Sequence, residues 1–381
     1  MQIRTLNALH DLPAAQWNAL VEDGNPFLLH EFLAGLERHR CVGQRTGWIP
    51  NHVVAFDAQQ RLIGAVPLYL KHNFYGEFVF DHSWEAAYQR HGIPYYPKLV
   101  SAVPFTPATG QRLLLARDAD PALPAALIEA AREQIHAQDC SSLHWLFPQQ
   151  SDLERLHTQG FMVRTGCQFH WINRGYRDFQ DFLEVLTSKK RKNIRRERRS
   201  VEEAGLRLQV LEGPEVSWEQ WRIFHDFYCA TFERRWGFPV LTAEFFQEIG
   251  RSLGERVVLI LASQGDEAVA GALCLRSDTT LYGRYWGCRM DFDNLHFETC
   301  YYQGIDYCIR QGLQVFEPGA QGEHKIARGF LPTLTHSAHW LTHPAFNDAV
   351  ADFLSRETLA VKNYARALHQ HSPYRQECAD L

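Results

Sequence analysis

Glu317-Pro318-Gly319-Ala320-Gln321-Gly322-Glu323-His324-Lys325 sets a carboxylate, an imidazole and an ammonium on three consecutive residues, with Arg328 close behind. Such a set suits a site that moves a proton and holds an anion. It follows the apolar pair Val315-Phe316, read as the end of a buried strand, where open α/β sheets gather ligands. Its two glycines let backbone N–H groups come close to a ligand. Glu323 or His324 is the expected base. Lys325 or Arg328 would hold a carboxylate or phosphate, and Glu317 and Gln321 would complete the lining. The same residues would also serve as a glycine-rich turn with solvated charges.

The preceding strand candidate, Leu281-Tyr282-Gly283-Arg284-Tyr285-Trp286-Gly287, alternates strictly. Gly283, Tyr285 and Gly287 share one face; Tyr282, Arg284 and Trp286 share the other. Glycines on both sides of a tyrosine leave room for a ligand or for another backbone. Tyr285 is therefore expected to orient a carbonyl or donate a proton and Arg284 to contact substrate, with ordinary aromatic packing as the alternative. Asp291, Asp293, His296 and Glu298 offer oxygen and imidazole, but their spacing matches no metal loop. They read as a capped helix start, with Asn294 as cap and Glu298 near the positive end of the helix dipole, and no metal is expected.

Between Lys189 and Arg199 stand eight basic residues and one acid, Glu197, a local balance of +7. The net charge is −5, so the remainder carries −5 − 7 = −12. A mostly acidic chain with one dense basic segment points to a local anionic partner, the phosphates of RNA or of a nucleotide-linked substrate, with a solvated helix as the alternative. Lys189, Lys190, Arg191, Arg195 and Arg196 are read as its phosphate- or RNA-binding set. In the first half, Asp81, Trp84, Tyr95, Tyr96, Lys98 and Thr106 combine aromatic walls with polar tips and are read as substrate-binding, with loop packing an equal alternative. No Gly-x-Ser-x-Gly, Gly-x-x-x-x-Gly-Lys or Gly-x-Gly-x-x-Gly run occurs.

These residues need elements to hold them. A chain of 381 residues exceeds the usual span of one core, which predicts two domains, placed at 1–165 and 166–381. The first opens directly into helices, one starting at Asp11-Leu12-Pro13 and one carrying Leu29, Phe32, Leu33 and Leu36. Strands follow at 52–56, 62–70 and 76–80, then a loop-like aromatic stretch, a strand at 113–115, a helix over 123–137 and a strand at 143–147. The second has a strand at 169–172 and a helix capped by Asp178 that runs on through the basic segment to Gly205. A strand at 206–211, helices over 218–235 and 243–253, and three strands from 257 to 288 come next. A helix with Phe297, Tyr301, Ile305 and Cys308 on one face ends at Gly312. The nine cysteines are odd in number and contain no Cys-x-x-Cys, which reads as reduced, core-filling thiols. The most apolar run, Val257-Val258-Leu259-Ile260-Leu261-Ala262, is too short to span a bilayer. With no secretory h-region at the N-terminus, the expectation is a cytoplasmic protein without integral membrane contact.

Five runs together resemble the bacterial FemAB-like group of peptidoglycan biosynthesis or recognition proteins, over nearly the whole chain. They are Gly64-Ala65-Val66-Pro67-Leu68-Tyr69-Leu70-Lys71, Tyr95-Tyr96-Pro97-Lys98-Leu99, Pro104-Phe105-Thr106-Pro107, the basic run from Lys189 to Glu197, and the stretch from Glu317 to Gly329. The resemblance implies an α/β (α+β) protein of two tandem GNAT-like domains, each a mixed, mostly antiparallel sheet flanked by helices. It implies an N-acyltransferase or aminoacyltransferase that moves its group to an amine on a peptidoglycan precursor, a peptide or another small molecule. Acyl-CoA or aminoacyl-tRNA would be the donor. The more distant Fem transferases carry a similar basic helix, matched by Arg191-Lys192-Asn193-Ile194-Arg195. The chain has neither their long helical arm nor a Gln/Arg-x-x-Gly-x-Gly/Ala motif for a CoA pyrophosphate. A non-catalytic protein that recognises a wall precursor, a peptide or RNA is the second expectation.

Overall fold

The computed structural model describes residues 1–233, 237–320 and 322–375. The chain forms two compact units, Met1–Cys167 with Leu334–Tyr364, and Gln168–Thr333 with Ala365–Leu381. The single boundary expected at 165/166 therefore needs amending: Leu334–Tyr364 folds with the first unit. Two contacts draw it there. Ser337 to Leu341 pair antiparallel with strand Ser142–Leu146, and Val350 and Leu354 pack into a cluster with Trp84, Tyr88 and Tyr95.

In the first unit, Ser142–Leu146 also pairs in parallel with Lys98–Ser101. Leu68–Lys71 and Trp48–Pro50 extend the sheet antiparallel. A smaller sheet holds Gln2–Leu6, His52–Phe56, Leu62–Val66 and Leu114–Leu115. Parallel neighbours need a crossover, and here helix Leu123–Ala137 supplies it. Its buried face, Leu123, Leu127, Ile128, Ala131 and Ile135, meets Leu68, Leu99, Leu143, Trp145 and Ala338 from the strands.

The second unit repeats the device. Strands Leu206–Glu212, Val257–Gln264, Glu267–Arg276 and Thr280–Cys288 form an antiparallel series. Thr280 to Tyr282 then pair in parallel with Val315–Glu317, whose other edge meets Trp171 and Ile172. The crossover helix runs through Gln303–Gln311 and ends at Gly312, φ 69°, the left-handed position a glycine takes most easily. Its buried residues Tyr301, Ile305 and Cys308 pack with Leu281, Phe316 and Ile194.

Several local expectations are corrected. Gln2–Leu6 is a strand on His52–Phe56 rather than a lead into a helix. Residues 76–80 form no strand, and the stretch read as loop contains helix His82–Arg90 and strand Lys98–Ser101. That strand is buried on both faces, so it shows no alternation to read. The helix expected to run unbroken from Asp178 to Gly205 is two, Phe179–Glu184 and Ser188–Glu203. The break is held from outside: Leu186 bridges Tyr374, and the Thr187 N–H donates to the Pro373 carbonyl. Helix Pro344–His369 was not anticipated. The helix expected over 218–235 covers Trp218–Glu233, with Arg235 outside the described residues. Among the described residues, no helix is long and apolar enough to cross a membrane.

Candidate active site

The helix that crosses over in the second unit contains a π-helical turn, Glu298–Tyr302. Such a turn inserts one extra residue and re-aims its side chains, and it recurs at functional sites. Here three of them reach other elements. Glu298 accepts from Arg198 Nε and Nη2 at 3.1 and 3.0 Å. Tyr301 Oη lies 2.8 Å from His324 Nε2. Tyr302 donates its hydroxyl to Glu197.

His324 sits on the 3-10 turn Glu323–Arg328. Glu323 and His324 face outward, while Lys325 and Arg328 are only 2% and 7% exposed. Lys325 Nζ donates to the Gly319 carbonyl at 2.7 Å, and burial pushes its ammonium down to about 8. It thus staples the loop from within, where the sequence had suggested a hold on substrate. Arg328 donates to Glu197 through Nη2 and Nε at 2.9 and 3.2 Å. Its Nη1 donates to the His324 carbonyl at 2.7 Å, and its Cζ rests 3.4 Å from the Phe297 ring centroid. Partial burial, then the charges of Arg328 and Lys325, hold the His324 imidazole below its ordinary range. At neutral pH the ring is therefore unprotonated, as a base must be. Gly322, at φ 120°, packs so close that a Cβ there would stand 2.3 Å from His324 Cε1. The turn requires glycine on both counts.

The basic helix Ser188–Glu203 faces two ways. Ile194 and Val201 are buried, and Glu197 shares their face at helical spacing. Lys189, Lys192, Arg196 and Arg199 form an exposed stripe. Arg195 reaches Gln180 at 2.9 Å, and Arg191 reaches Ser188 at 3.4 Å. Of the five residues read as phosphate-binding, Lys189, Lys190, Arg191, Arg195 and Arg196, none is paired with a carboxylate among the described residues. Arg198 alone of the eight cations in the run is neutralised in that way.

Other expected site residues go elsewhere. Tyr285 packs edge-on to Tyr228, 5.2 Å between ring centroids, and lies 6.3 Å from Phe246. On that face, a Cβ on Gly287 would stand 2.0 Å from the Phe227 carbonyl, so the glycine admits a helix backbone. Trp286, on the opposite face, leads through His296 toward His324, at 5.3 and 6.3 Å between centroids. Strand alternation thus separates Tyr285 from His324. Arg284 lies with its Cζ 5.2 Å from the Tyr285 ring. Glu317 closes the parallel pairing opposite Tyr282, and Gln321 lies outside the described residues. Asn294 holds the helix-start position at φ 64°, but its amide donates to Ser200 instead of capping. No group of three or more His, Cys, Asp or Glu able to hold a metal occurs among the described residues.

The residues expected to bind substrate in the first unit close on one another. Lys98, fully buried, donates to Asp81 at 2.6 Å and to Glu77 at 2.8 Å. Burial alone would lower its ammonium, but the two carboxylates outweigh that and hold it above its ordinary range. Tyr95 donates to Asp81 at 2.5 Å. Glu77 Oε1 and Asp81 Oδ1 have no partner among the described residues, so Glu77 depends on Lys98, and Asp81 on Lys98 and Tyr95. Directly opposite Lys98 in the register is Lys71. It meets the Tyr75 carbonyl at 3.0 Å and Asn73 Oδ1 at 3.3 Å, and burial pushes it down to about 7. Trp84 and Tyr95 are buried, Tyr96 is half-buried, and Thr106 donates to the Pro104 carbonyl. Lys71 and Glu77 were not anticipated as members. A charge ending each of the apolar runs 68–71 and 98–101 in mirror fashion was the available signal.

One parallel pair joined by a crossover helix in each otherwise antiparallel sheet defines two tandem GNAT-like domains, the second of which carries the neutral histidine and the basic helix. Residues 8–376 match the family model for FemAB-like proteins, described as peptidoglycan biosynthesis/recognition, and the chain belongs to that family. Among solved structures it is similar to FemX, with a TM-score of 0.53 and 11% identity over 92% of this chain and 100% of that one. It is also similar to L-PGS from Bacillus licheniformis, with a TM-score of 0.51 and 11% identity over 84% and 95%. A conserved Bacteroides thetaiotaomicron protein of unknown function gives 0.52 and 11% over 89% and 99%. At these identities the likeness is one of fold. Comparison with curated protein sequences gives no match.

Proposed function

We propose that this protein is a cytoplasmic N-acyltransferase or aminoacyltransferase whose acceptor is an amine on a peptidoglycan precursor or peptide. The observation that carries the reading is the Arg328–Glu197 pair. It ties an outward-facing neutral imidazole to a helix whose stripe of cations is open to an anion. The acceptor nitrogen attacks the donor's ester or thioester carbonyl. A C–N bond forms, the C–O or C–S bond breaks, and His324 takes the proton from nitrogen and returns it to the leaving oxygen or sulfur. Lys189, Lys190, Lys192, Arg196 and Arg199 hold the phosphates that both donor classes, acyl-CoA and aminoacyl-tRNA, carry. Membership of a family described by peptidoglycan biosynthesis supports the acceptor class.

The test supplies purified protein with a uridine-diphosphate-linked muropeptide and either aminoacyl-tRNA or acetyl-CoA. The readout is the acceptor's mass. A gain of one aminoacyl or acyl group that requires His324 supports the reading. An unchanged acceptor with both donors sinks it.

A further inference from the structure

Glu197 is the one acid in a run of eight cations, and its carboxylate points inward to Arg328 and Tyr302. Solvation of the helix would be served equally well by another basic or polar residue there. We infer that Glu197 is a positioning residue for His324, holding the backbone of its turn through Arg328 and balancing the guanidinium nearest the imidazole. The inference rests on the reading of His324 as the base.

The geometry gives both halves of that role. Two bonds, at 2.9 and 3.2 Å, fix the plane of the Arg328 guanidinium against Glu197. The third nitrogen is then aimed at the His324 carbonyl, 2.7 Å away. A bidentate arginine–carboxylate pair has this directional fixity; a lysine in its place would not. Arg328 is 7% exposed, so its charge acts on the ring through little water. The groups facing His324 can be counted. Arg328 and Lys325 come from its own turn, with Glu323 beside it. Tyr301 and His296 come from the crossover helix, and Glu197 comes from the basic helix behind Arg328. Glu197 is the anion that another element contributes against Arg328. Removing it leaves the guanidinium unopposed and drives the imidazole further from protonation.

The experiment is an NMR titration of the full chain, with the His324 ring signals assigned by their loss in His324→Ala. Glu197→Gln keeps the shape of the side chain and removes its charge. The His324 pKa should fall by about 0.5 to 1 unit in this variant. Arg328→Met should raise it by a similar amount, the Glu197→Gln/Arg328→Met double variant should lie between the two, and Glu197→Asp should stay near wild type. The inference is overturned if Glu197→Gln leaves the His324 pKa in place, or if the two single variants shift it in the same direction. Should Glu197→Gln fail to fold, the double variant decides. A value at or above that of Arg328→Met means that Glu197 exerts no such influence. None of these readouts needs turnover. Absence of transfer alongside the expected shifts would count against His324 as base and not against its coupling to Glu197.

Discussion

Lys98 in the first unit and Arg328 in the second are both buried cations held by carboxylates, yet they sit in opposite kinds of place. Lys98 is sealed among Glu77, Asp81 and Tyr95. Arg328 has Glu197 on one side and, on the other, the carbonyl of an exposed histidine. In the first cluster every charge is consumed by a neighbour. In the second, the burial of one ion pair fixes a group that faces water. A polar cluster read from sequence can thus be structural glue or a working site, and what separates them is whether any titratable group is left facing outward.

The largest way to break the comparison is Lys98→Met. It strands two buried carboxylates, and removing one partner from such a cluster costs about 3–5 kcal/mol. Urea denaturation should show that loss, and a cost under about 1 kcal/mol would mean the cluster is wetter than its burial implies. His324→Ala should do the reverse, leaving stability within about 1 kcal/mol while lowering transfer about 10²–10⁴-fold in the acceptor-mass assay. Lys71→Met sharpens the contrast through pH. The Lys71 ammonium is pushed down to about 7 in the folded chain, against an ordinary value near ~10.4. Between those values the unfolded chain holds a proton that the folded chain lacks, so stability should rise with pH, by up to about 1.4 kcal/mol per unit. The contribution is lost as pH falls to 7, and the Lys71→Met variant should lack that part of the slope in urea titrations repeated at several pH values. The smallest effect on stability belongs to glutamine at Lys189, Lys192, Arg196 and Arg199, each within about 0.5 kcal/mol. The same four changes should flatten the logarithmic salt dependence of tRNA binding by about three, read by filter binding. An unchanged slope would remove the stripe from the site.

The sequence made the second unit's site more legible than the first's. The density of charge from Lys189 to Arg199, and the polar cluster after Val315-Phe316, survive any uncertainty about element boundaries. Glu197 was visible only as the exception in its run. Its meaning depends on a π turn that no period announces, because a single inserted residue leaves the apolar stripe of Phe297, Tyr301, Ile305 and Cys308 nearly intact. Tyr285 stayed open between a site role and aromatic packing because strand alternation says which residues share a face but not which face meets which neighbour. In the first unit, Lys98 and Tyr95 carried the right polarity, and of the two readings open to them, cleft lining and packing, burial favours packing. Their partners Glu77 and Asp81 sit in a stretch whose turns hide any spacing rule. The return of Leu334–Tyr364 to the first unit was beyond reach, since long-range pairing with Ser142–Leu146 leaves no local mark.

The bridge between Leu186 and Tyr374 bears on the order in which the protein is made. Tyr374 also donates its hydroxyl to the Gly329 carbonyl at 2.7 Å, at the close of the turn that carries His324. One late segment therefore clasps both the start of the basic helix and the end of that turn. On the ribosome, both parts are synthesised well before the residues that join them, and the whole of Leu334–Tyr364 intervenes. The second unit is thus completed only after the whole of that intervening segment has been made. Ending the chain ahead of Pro373 would leave all of the chemistry encoded but without this clasp.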